Sequence, residues 1–136
     1  MRYLLDTNIV IALMKQQASV LAQVRHVGVA ALRLCAPVEA ELWFGVWKSS
    51  RPEENHRRLL QLLAWLPSLP FASESAMHAG EIRATLARQG TPIGPYDLQI
   101  AAIARAHDLI LVTHNTQEFK RVAALTLEDW TIPPVT

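Results

Sequence analysis

Apolar positions along the chain fall into two patterns, short continuous runs and longer stretches with helical spacing. Short runs bounded by polar or turn residues are typical of buried strands. They predict strands over residues 3–5, 32–36, 69–72 and 109–113. Helical spacing that begins at capping residues or proline and ends at glycine or proline predicts helices. These helices are expected over 9–14, from 19 onwards, and over 37–47, 51–66, 74–88 and 95–107.

The order of these elements predicts the fold class. Strands that alternate with helices favour a parallel sheet covered on both faces. We therefore expect a single domain of residues 1–136, built as a three-layer α/β/α sandwich with a mainly parallel central sheet. In such folds the chemistry collects beyond the carboxyl ends of the strands. That rule directs attention to Asp6 after the first strand and to His114 and Asn115 after the last.

The composition is that of a folded protein, with 51% hydrophobic and 18% charged residues. No apolar run reaches the roughly 18 residues of a membrane span, and Asp6 interrupts the stretch that a signal peptide would need. We therefore expect a cytoplasmic protein without membrane contact. The single cysteine, Cys35, excludes an internal disulfide and a multi-cysteine zinc site, and its apolar neighbours predict a buried core residue.

The charge balance does not identify a partner, because the formal net charge is only +1. A nucleic-acid-binding protein often has a strong basic excess. If this chain binds RNA, the attraction must come from local groups, for which Lys48, Arg51, Arg57 and Arg58 are candidates. The alternative is that these are ordinary solvated helix charges.

Asp97 is the most informative single residue. On a helix it shares a face with Ile100, Ala101 and Ala104, so the acid lies on the apolar stripe. A lone buried carboxylate is costly unless it is paired or bound to a metal. The alternative is that Asp97, three residues after Gly94, merely stabilises the start of the helix.

The other acids of interest have similar alternatives. Asp6 is suited to capping a helix as well as to catalysis, and its place at the end of a strand favours the second. The 37–47 helix offers Glu39 and Glu41, and periodicity alone does not choose between them. Gly45, one turn after Glu41, leaves room for a metal or a phosphate. Three carboxylates without clustered histidine or cysteine indicate Mg²⁺ or Mn²⁺ rather than zinc.

Four segments of the chain resemble the motifs of the PIN-domain family, and within it those of VapC-type toxins. Residues 4–9, Leu-Leu-Asp-Thr-Asn-Ile, resemble the opening motif, whose aspartate binds metal. Residues 39–45 resemble the second motif and favour Glu41 over Glu39. The third and fourth motifs are matched by residues 94–101, which carry over Asp97, and by residues 111–119.

The resemblance implies a toxin of a type II toxin–antitoxin system, acting as an Mg²⁺-dependent endoribonuclease with Mn²⁺ as a substitute. Asp6 and Asp97 would be the metal ligands, and Glu41 would complete the catalytic set. Thr7 and Asn8 would support them through hydrogen bonds. Residues 80–94 and 128–130 resemble the enteric branch of these toxins, which implies tRNA, and initiator tRNA in particular, as the leading target.

The resemblance also implies partners. These are a cognate antitoxin, the RNA substrate and a second copy of the chain, with DNA contacted only through the antitoxin. We expect a homodimer and a toxin–antitoxin hetero-oligomer. Exposed aromatic side chains could form the groove or the dimer face, although each one taken singly is expected in the core; they are Trp43, Phe44, Trp47 and Trp65.

The chain departs from the family pattern in the fourth motif. Many PIN nucleases have an aspartate where Asn115 stands, which favours one metal over two. Glu118 could compensate in part, or it could face solvent. His114 is predicted to be a satisfied loop histidine rather than an acid–base group. Asn115 also leaves open a non-catalytic PIN-like interaction or RNA-binding module as the alternative function.

Overall fold

The computed structural model describes residues 1–133. Within them the strands are β1 (Tyr3–Leu5), β2 (Leu32–Cys35), β3 (Ser68–Leu69), β4 (Ile110–Val112) and β5 (Leu127–Glu128). The helices are α1 (Thr7–Met14), α2 (Ala18–Val27), α3 (Ala36–Lys48), α4 (Pro52–Leu63), α5 (Ser73–Gln89), α6 (Pro95–Ala106) and α7 (Thr116–Phe119). A short 3₁₀ turn, Val29–Ala31, leads into β2.

The strands form one parallel sheet in the order β3-β2-β1-β4-β5, flanked by the helices. The predicted α/β/α class is therefore confirmed. The chain adds β2 and β3 on one side of β1 and then places β4 and β5 on the other side. The winding direction thus reverses between β1 and β4, and in open α/β sheets a crevice forms beyond the carboxyl ends at such a point. Asp6 and Thr113 are the first residues after these two strands.

The central strands lie inside the hydrophobic core. Leu4, Leu5, Leu111 and Val112 are fully buried, and α6 covers them with a run of buried residues from 100 to 104. Strands buried on both faces read as continuous apolar runs rather than alternating ones. This is why the sequence pattern locates β1 and β4 well.

Proline, aspartate and glycine set the ends of several helices. Pro37, Pro52 and Pro95 occupy the first positions of α3, α4 and α6, where a missing backbone N–H removes no helical hydrogen bond. Asp6 caps α1 by accepting a hydrogen bond from the Thr7 backbone N–H. Gly90 ends α5 in the left-handed conformation, with φ of 70°.

Some predicted boundaries are wrong. The third strand covers only Ser68–Leu69, and residues 70–72 are not part of it. The helix expected to reach residue 66 ends at Leu63. Helix α7 and strand β5 were not predicted, because elements of four and two residues are too short to show a periodic pattern.

The expectation that the aromatic side chains of α3 and of the turn after α4 lie in the core is wrong for most of them. Phe44, Trp47 and Trp65 are exposed, and only Trp43 is partly buried. Trp43 and Trp47 are one turn apart on α3 and stack with ring centroids 6.3 Å apart. An aromatic face therefore projects outwards from α3.

Other core and membrane expectations can be compared directly with the structure. Cys35 is buried as predicted, and desolvation raises the pKa of its thiol to about 12. Across residues 1–133, each helix is either too short or too polar to traverse a bilayer.

Candidate active site

Asp6 is the centre of a hydrogen-bond network at the carboxyl ends of β1 and β4. The side chain is 5% exposed and accepts three hydrogen bonds. The Thr7 backbone N–H donates to Oδ1 at 2.8 Å, and the Asn8 side-chain amide donates to Oδ2 at 3.2 Å. The Thr113 hydroxyl donates to Oδ2 at 2.7 Å across the two strands. Asp6 is therefore both a helix cap and a fixed carboxylate at the predicted crevice.

Burial raises the pKa of Asp6 above its ordinary range, and the three hydrogen bonds oppose this shift only in part. Desolvation penalises the charged form, because the interior replaces water with a medium of lower polarity. The carboxylate thus lies in a site that would be stabilised by a cation.

Of the two acids on α3, Glu41 is the one whose pKa is raised by burial and by the charge of Asp6. The Ser68 hydroxyl donates a hydrogen bond to Glu39 at the edge of the sheet. Glu41 is half-buried, and its pKa is raised first by burial and then by the negative charge of Asp6. The choice between these residues, which periodicity could not make, agrees with the motif resemblance.

Asp97 enters the same cluster from the first turn of α6. It is the one acid in that first turn, where the helix dipole favours a negative charge, and its side chain is partly buried. Its pKa is raised to about 6, first by burial and then by the charges of Glu118, Asp6 and Glu41. These four carboxylates come from four separate segments of the chain. Their mutual repulsion shows that they lie near one another in the fold.

Asn115 and Glu118 form a bonded pair on the β4 side of the cluster. The Asn115 side-chain amide donates to Glu118 Oε2 at 2.9 Å, and the Gly94 backbone N–H donates to Oε1 at 3.2 Å. These hydrogen bonds, led by that from Asn115, lower the pKa of Glu118. Glu118 is therefore held ionised near Asp97 rather than turned to solvent.

The donor chemistry of this cluster suits a hard cation. Its charged groups are carboxylates, and the buried hydroxyl oxygen of Thr7 has no hydrogen-bond partner in the described part of the chain. Within residues 1–133, no three acidic, histidine or cysteine side chains converge closely enough to enclose an ion by themselves. Mg²⁺ commonly takes one or two carboxylates and keeps several waters. The residues therefore fit Mg²⁺ or Mn²⁺ held partly through water.

A groove of about 460 Å³ lies between α1, α3 and α4. Glu41 is part of its lining, and apolar side chains form most of the rest. The exposed aromatic residues Phe44 and Trp47 project from the same helix as Glu41. The groove is thus mainly apolar and carries one carboxylate, that of Glu41.

Two groups of side chains at this edge were missed by sequence reasoning. Thr113 holds Asp6 and also accepts a hydrogen bond from the Asn115 backbone N–H at 3.0 Å. Its position directly after a strand was the available signal. Asp129 and Thr131 contact His114, and the resemblance of residues 128–130 to the enteric branch gave Asp129 no role at the site.

Comparison with known proteins identifies the class of this fold and site. A model of the PIN domain matches residues 3–125. The tRNA(fMet)-specific endonuclease VapC of Shigella flexneri is 38% identical over 130 residues, covering 96% of this chain and 98% of that protein. Ribonuclease VapC2 of Haemophilus influenzae has the same identity and coverage. The chain therefore belongs to the PIN-domain family.

Its similarity within that family is to VapC proteins, so the resemblance seen in the four motifs is confirmed. The solved structure of VapBC2 from Rickettsia felis, bound to a DNA fragment from the promoter, superposes with a TM-score of 0.89 and 35% identity. That similarity covers 96% of this chain and 99% of the other. DNA-bound VapBC from Salmonella typhimurium also gives a TM-score of 0.89, at 34% identity and 96% and 98% coverage.

Proposed function

We propose that this protein is the toxin of a type II toxin–antitoxin pair and acts as an Mg²⁺-dependent endoribonuclease in the cytoplasm. The observation that supports this most strongly is that burial raises the pKa values of Asp6, Glu41 and Asp97, and that the charges of the first two raise that of Asp97 further. Perturbed acids that converge in a crevice are typical of catalytic sites. The ribonuclease names of the full-length relatives agree with this assignment.

Asp6 and Asp97 would hold the metal, directly or through water, with Mn²⁺ as a possible substitute. Bound there, the ion would polarise the phosphodiester, favour ionisation of water and stabilise the departing alkoxide. One ion suits the site better than two, because Asn115 contributes no charge at the position of a fourth acid.

The other residues orient these groups and the substrate. Glu41, with its raised pKa, is suited to accept a proton from the attacking water. Asn8 and Thr113 keep Asp6 in one orientation, while Asn115 keeps Glu118 near Asp97. The Thr7 backbone N–H lies at the start of α1, where helix amides favour anions. In-line attack of water would leave 5′-phosphate and 3′-hydroxyl ends.

The leading substrate is tRNA, and initiator tRNA in particular. The support is the activity for which the Shigella flexneri relative is named, that of a tRNA(fMet)-specific endonuclease. An anticodon loop presents unpaired bases, and sequence-specific recognition of RNA mostly uses such loops. A crevice at the edge of a sheet can admit a loop more readily than a helical duplex.

The protein partner is a cognate antitoxin, which we propose occupies the groove between α1, α3 and α4. An apolar segment would cover the exposed faces of Phe44 and Trp47. A basic side chain at its end would reach Glu41 and the other carboxylates, where a positive charge is favoured. The related structures are VapBC complexes, some of them bound to DNA. We therefore expect a homodimer and a toxin–antitoxin hetero-oligomer that contacts DNA through the antitoxin.

The activity can be tested by incubating total bacterial RNA with purified protein and Mg²⁺, Mn²⁺ or EDTA. We expect discrete fragments that require metal and carry 5′-phosphate ends, and sequencing of those ends would identify the target. Asp6→Asn should abolish the fragments. Cyclic-phosphate products formed equally well in EDTA would contradict the proposal.

The alternative function is a non-catalytic PIN-like module that binds RNA or protein, and Asn115 is the residue that favours it. The bonded pair of Asn115 and Glu118 argues against this alternative, because it keeps an ionised acid 2.9 Å from the uncharged amide. A folded protein that binds RNA but cuts none of it with either metal would favour the module.

A further inference from the structure

His114 lies beside the acid cluster, yet none of the roles assigned above uses its imidazole. The residue follows β4 at the carboxyl edge of the sheet. Its backbone N–H donates to the Asn8 side-chain oxygen at 3.0 Å, and the Asn8 amide in turn donates to Asp6. A single side chain therefore links the His114 backbone to the central carboxylate.

The segment after β5 fixes the orientation of the His114 ring. Nδ1 lies 3.1 Å from Asp129 Oδ2 and 2.9 Å from the Thr131 hydroxyl oxygen. That hydroxyl also lies 2.6 Å from Asp129 Oδ1, and the Thr131 backbone N–H donates to the same oxygen at 2.9 Å. Burial tends to raise the pKa of Asp129, but the hydrogen bonds from Thr131 and His114 outweigh it and lower the pKa.

These contacts assign the tautomer of His114. Because Asp129 is ionised, the single hydroxyl proton of Thr131 is donated to it. Toward Nδ1, both the hydroxyl oxygen and the carboxylate can then only accept. Nδ1 must therefore carry the proton, and Nε2 is the nitrogen that is left for another partner.

Nε2 faces outwards. The His114 side chain is 67% exposed, whereas that of Asp129 is 10% exposed. Within residues 1–133, no protein group forms a hydrogen bond with Nε2. In the neutral ring, Nε2 presents a lone pair there. The site therefore offers an oriented neutral acceptor beside its carboxylates.

An RNA backbone has one group that can donate to such an acceptor, the ribose 2′-hydroxyl. Phosphate oxygens can only accept, and DNA has no hydroxyl at this position. We propose that His114 is a specificity-determining residue whose Nε2 accepts a hydrogen bond from the 2′-hydroxyl of a nucleotide beside the scissile bond. This inference rests on the proposed ribonuclease function. Asp129 is its positioning residue, because it acts on the substrate only through the His114 ring.

The test compares the cleavage of matched RNAs that differ by one oxygen atom, first by wild type and then by variants of His114 and Asp129. The substrate is a stem-loop with the sequence of the initiator-tRNA anticodon arm, or of the site mapped in total RNA if that differs. Single 2′-deoxyribose substitutions are placed in turn at the nucleotides flanking the cut. At about pH 8 we expect wild-type kcat/KM to fall roughly five- to tenfold for one of them, as for the loss of one hydrogen bond.

His114→Ala should lower kcat/KM for the all-ribose RNA by a similar factor and lose the sensitivity to that 2′-deoxyribose. Asp129→Asn should weaken the same sensitivity, a response that a purely structural role would not produce. His107→Ala is the matched control, because His107 is an exposed histidine that precedes β4 at the opposite edge of the sheet. It should behave as wild type. Thermal melting establishes that each variant is folded.

The inference is overturned if folded His114→Ala keeps the wild-type sensitivity at every position, or if wild type is insensitive to all of the substitutions. If His114→Ala lowers kcat/KM equally on the all-ribose and the 2′-deoxyribose substrates, the inference is also overturned, because equal losses would indicate a structural role for His114. Failure of wild type to cut any RNA contradicts the ribonuclease function itself, and this inference with it. The two failures are therefore distinguished within the same assay.

Discussion

At the scale of single residues, the site is an assembly of negative charges that destabilise one another in the folded chain. Asp97 shows this most clearly, because its pKa of about 6 lies well above the ordinary value of 3.8. A raised folded-state pKa contributes stability that is fully present below about pH 4 and is lost as the pH rises through about 6. Without metal, ionised Asp97 therefore reduces the free energy of unfolding at neutral pH.

Removing this charge should stabilise the protein while it removes activity. We expect Asp97→Asn to raise the melting temperature by about 2–4 °C near pH 7.5 in EDTA. The gain should shrink as the pH falls below about 6 and vanish below about pH 4, where Asp97 is protonated in both the folded and the unfolded chain. Melting curves of both proteins over this pH range measure it. A gain that is the same at every pH would show that charge repulsion is not the cause.

Thr113 gives a second prediction at this scale, because its hydroxyl both donates to Asp6 and accepts from Asn115. Thr113→Val keeps the shape but removes both bonds, leaving a buried carboxylate with one partner fewer. We expect a loss of about 1–3 kcal/mol in the free energy of unfolding and a lower kcat. Thr113→Ser restores the hydroxyl and should recover most of both. Denaturant melts and cleavage rates measure the two effects. A Thr113→Val variant that matches wild type in both would contradict this role of Thr113.

At the scale of elements, α3 has two functions on two faces. Its inner face carries Val38, Leu42 and Val46 into the core, and its outer face exposes Phe44 and Trp47. Exposed aromatic residues add little to the stability of the isolated chain but supply much of the energy of protein–protein interfaces. The outer face is therefore suited to binding a protein partner, such as the antitoxin proposed above.

Trp47→Ala should accordingly separate binding from stability. Because its side chain is 61% exposed, we expect the free energy of unfolding to change by no more than about 0.5 kcal/mol. Affinity for the co-expressed antitoxin should fall by roughly tenfold or more. Calorimetric titration with the purified antitoxin measures the second quantity. A variant with unchanged affinity would show that the antitoxin does not use this face.

Trp130→Ala is the contrasting variant. Trp130 is almost fully buried, packs against Tyr3 with ring centroids 5.3 Å apart and donates from Nε1 to Glu128. Its removal should cost about 3–5 kcal/mol of the free energy of unfolding. Trp47→Ala should therefore weaken binding without loss of stability, and Trp130→Ala should reduce stability. Together they test whether the exposure of a tryptophan indicates its role.

At the scale of the whole molecule, the sequence predicts the architecture because continuous apolar runs mark doubly covered strands, as at β1 and β4. It also predicts that Asp6 and Asp97 are functional, since one follows a strand and the other lies on an apolar helix face. It could not predict the exposure of Trp47, because side-chain type does not say which surfaces remain uncovered. Nor could it predict the contact of Asp129 with His114, which depends on pairing between residues far apart in the chain.

Metal binding should be visible in the stability of the whole chain. A cation that binds the folded state alone stabilises it according to its concentration relative to Kd. We expect Mg²⁺ or Mn²⁺ to raise the melting temperature of wild type near pH 7.5 and EDTA to reverse the change. Asp97→Asn should respond less than wild type. An equal response in the two proteins would place the bound metal elsewhere.

The most direct test of the central claim is cleavage of the mapped RNA by wild type, Asp97→Asn and Asp108→Asn in Mg²⁺. Asp108 is an exposed aspartate in the turn before β4, with φ of 53°, a conformation that asparagine tolerates well. We predict that wild type and Asp108→Asn cut at similar rates and that Asp97→Asn, although folded, does not cut. Equal cleavage by all three proteins would contradict the proposal that the carboxylates of Asp6, Glu41 and Asp97 form the catalytic centre.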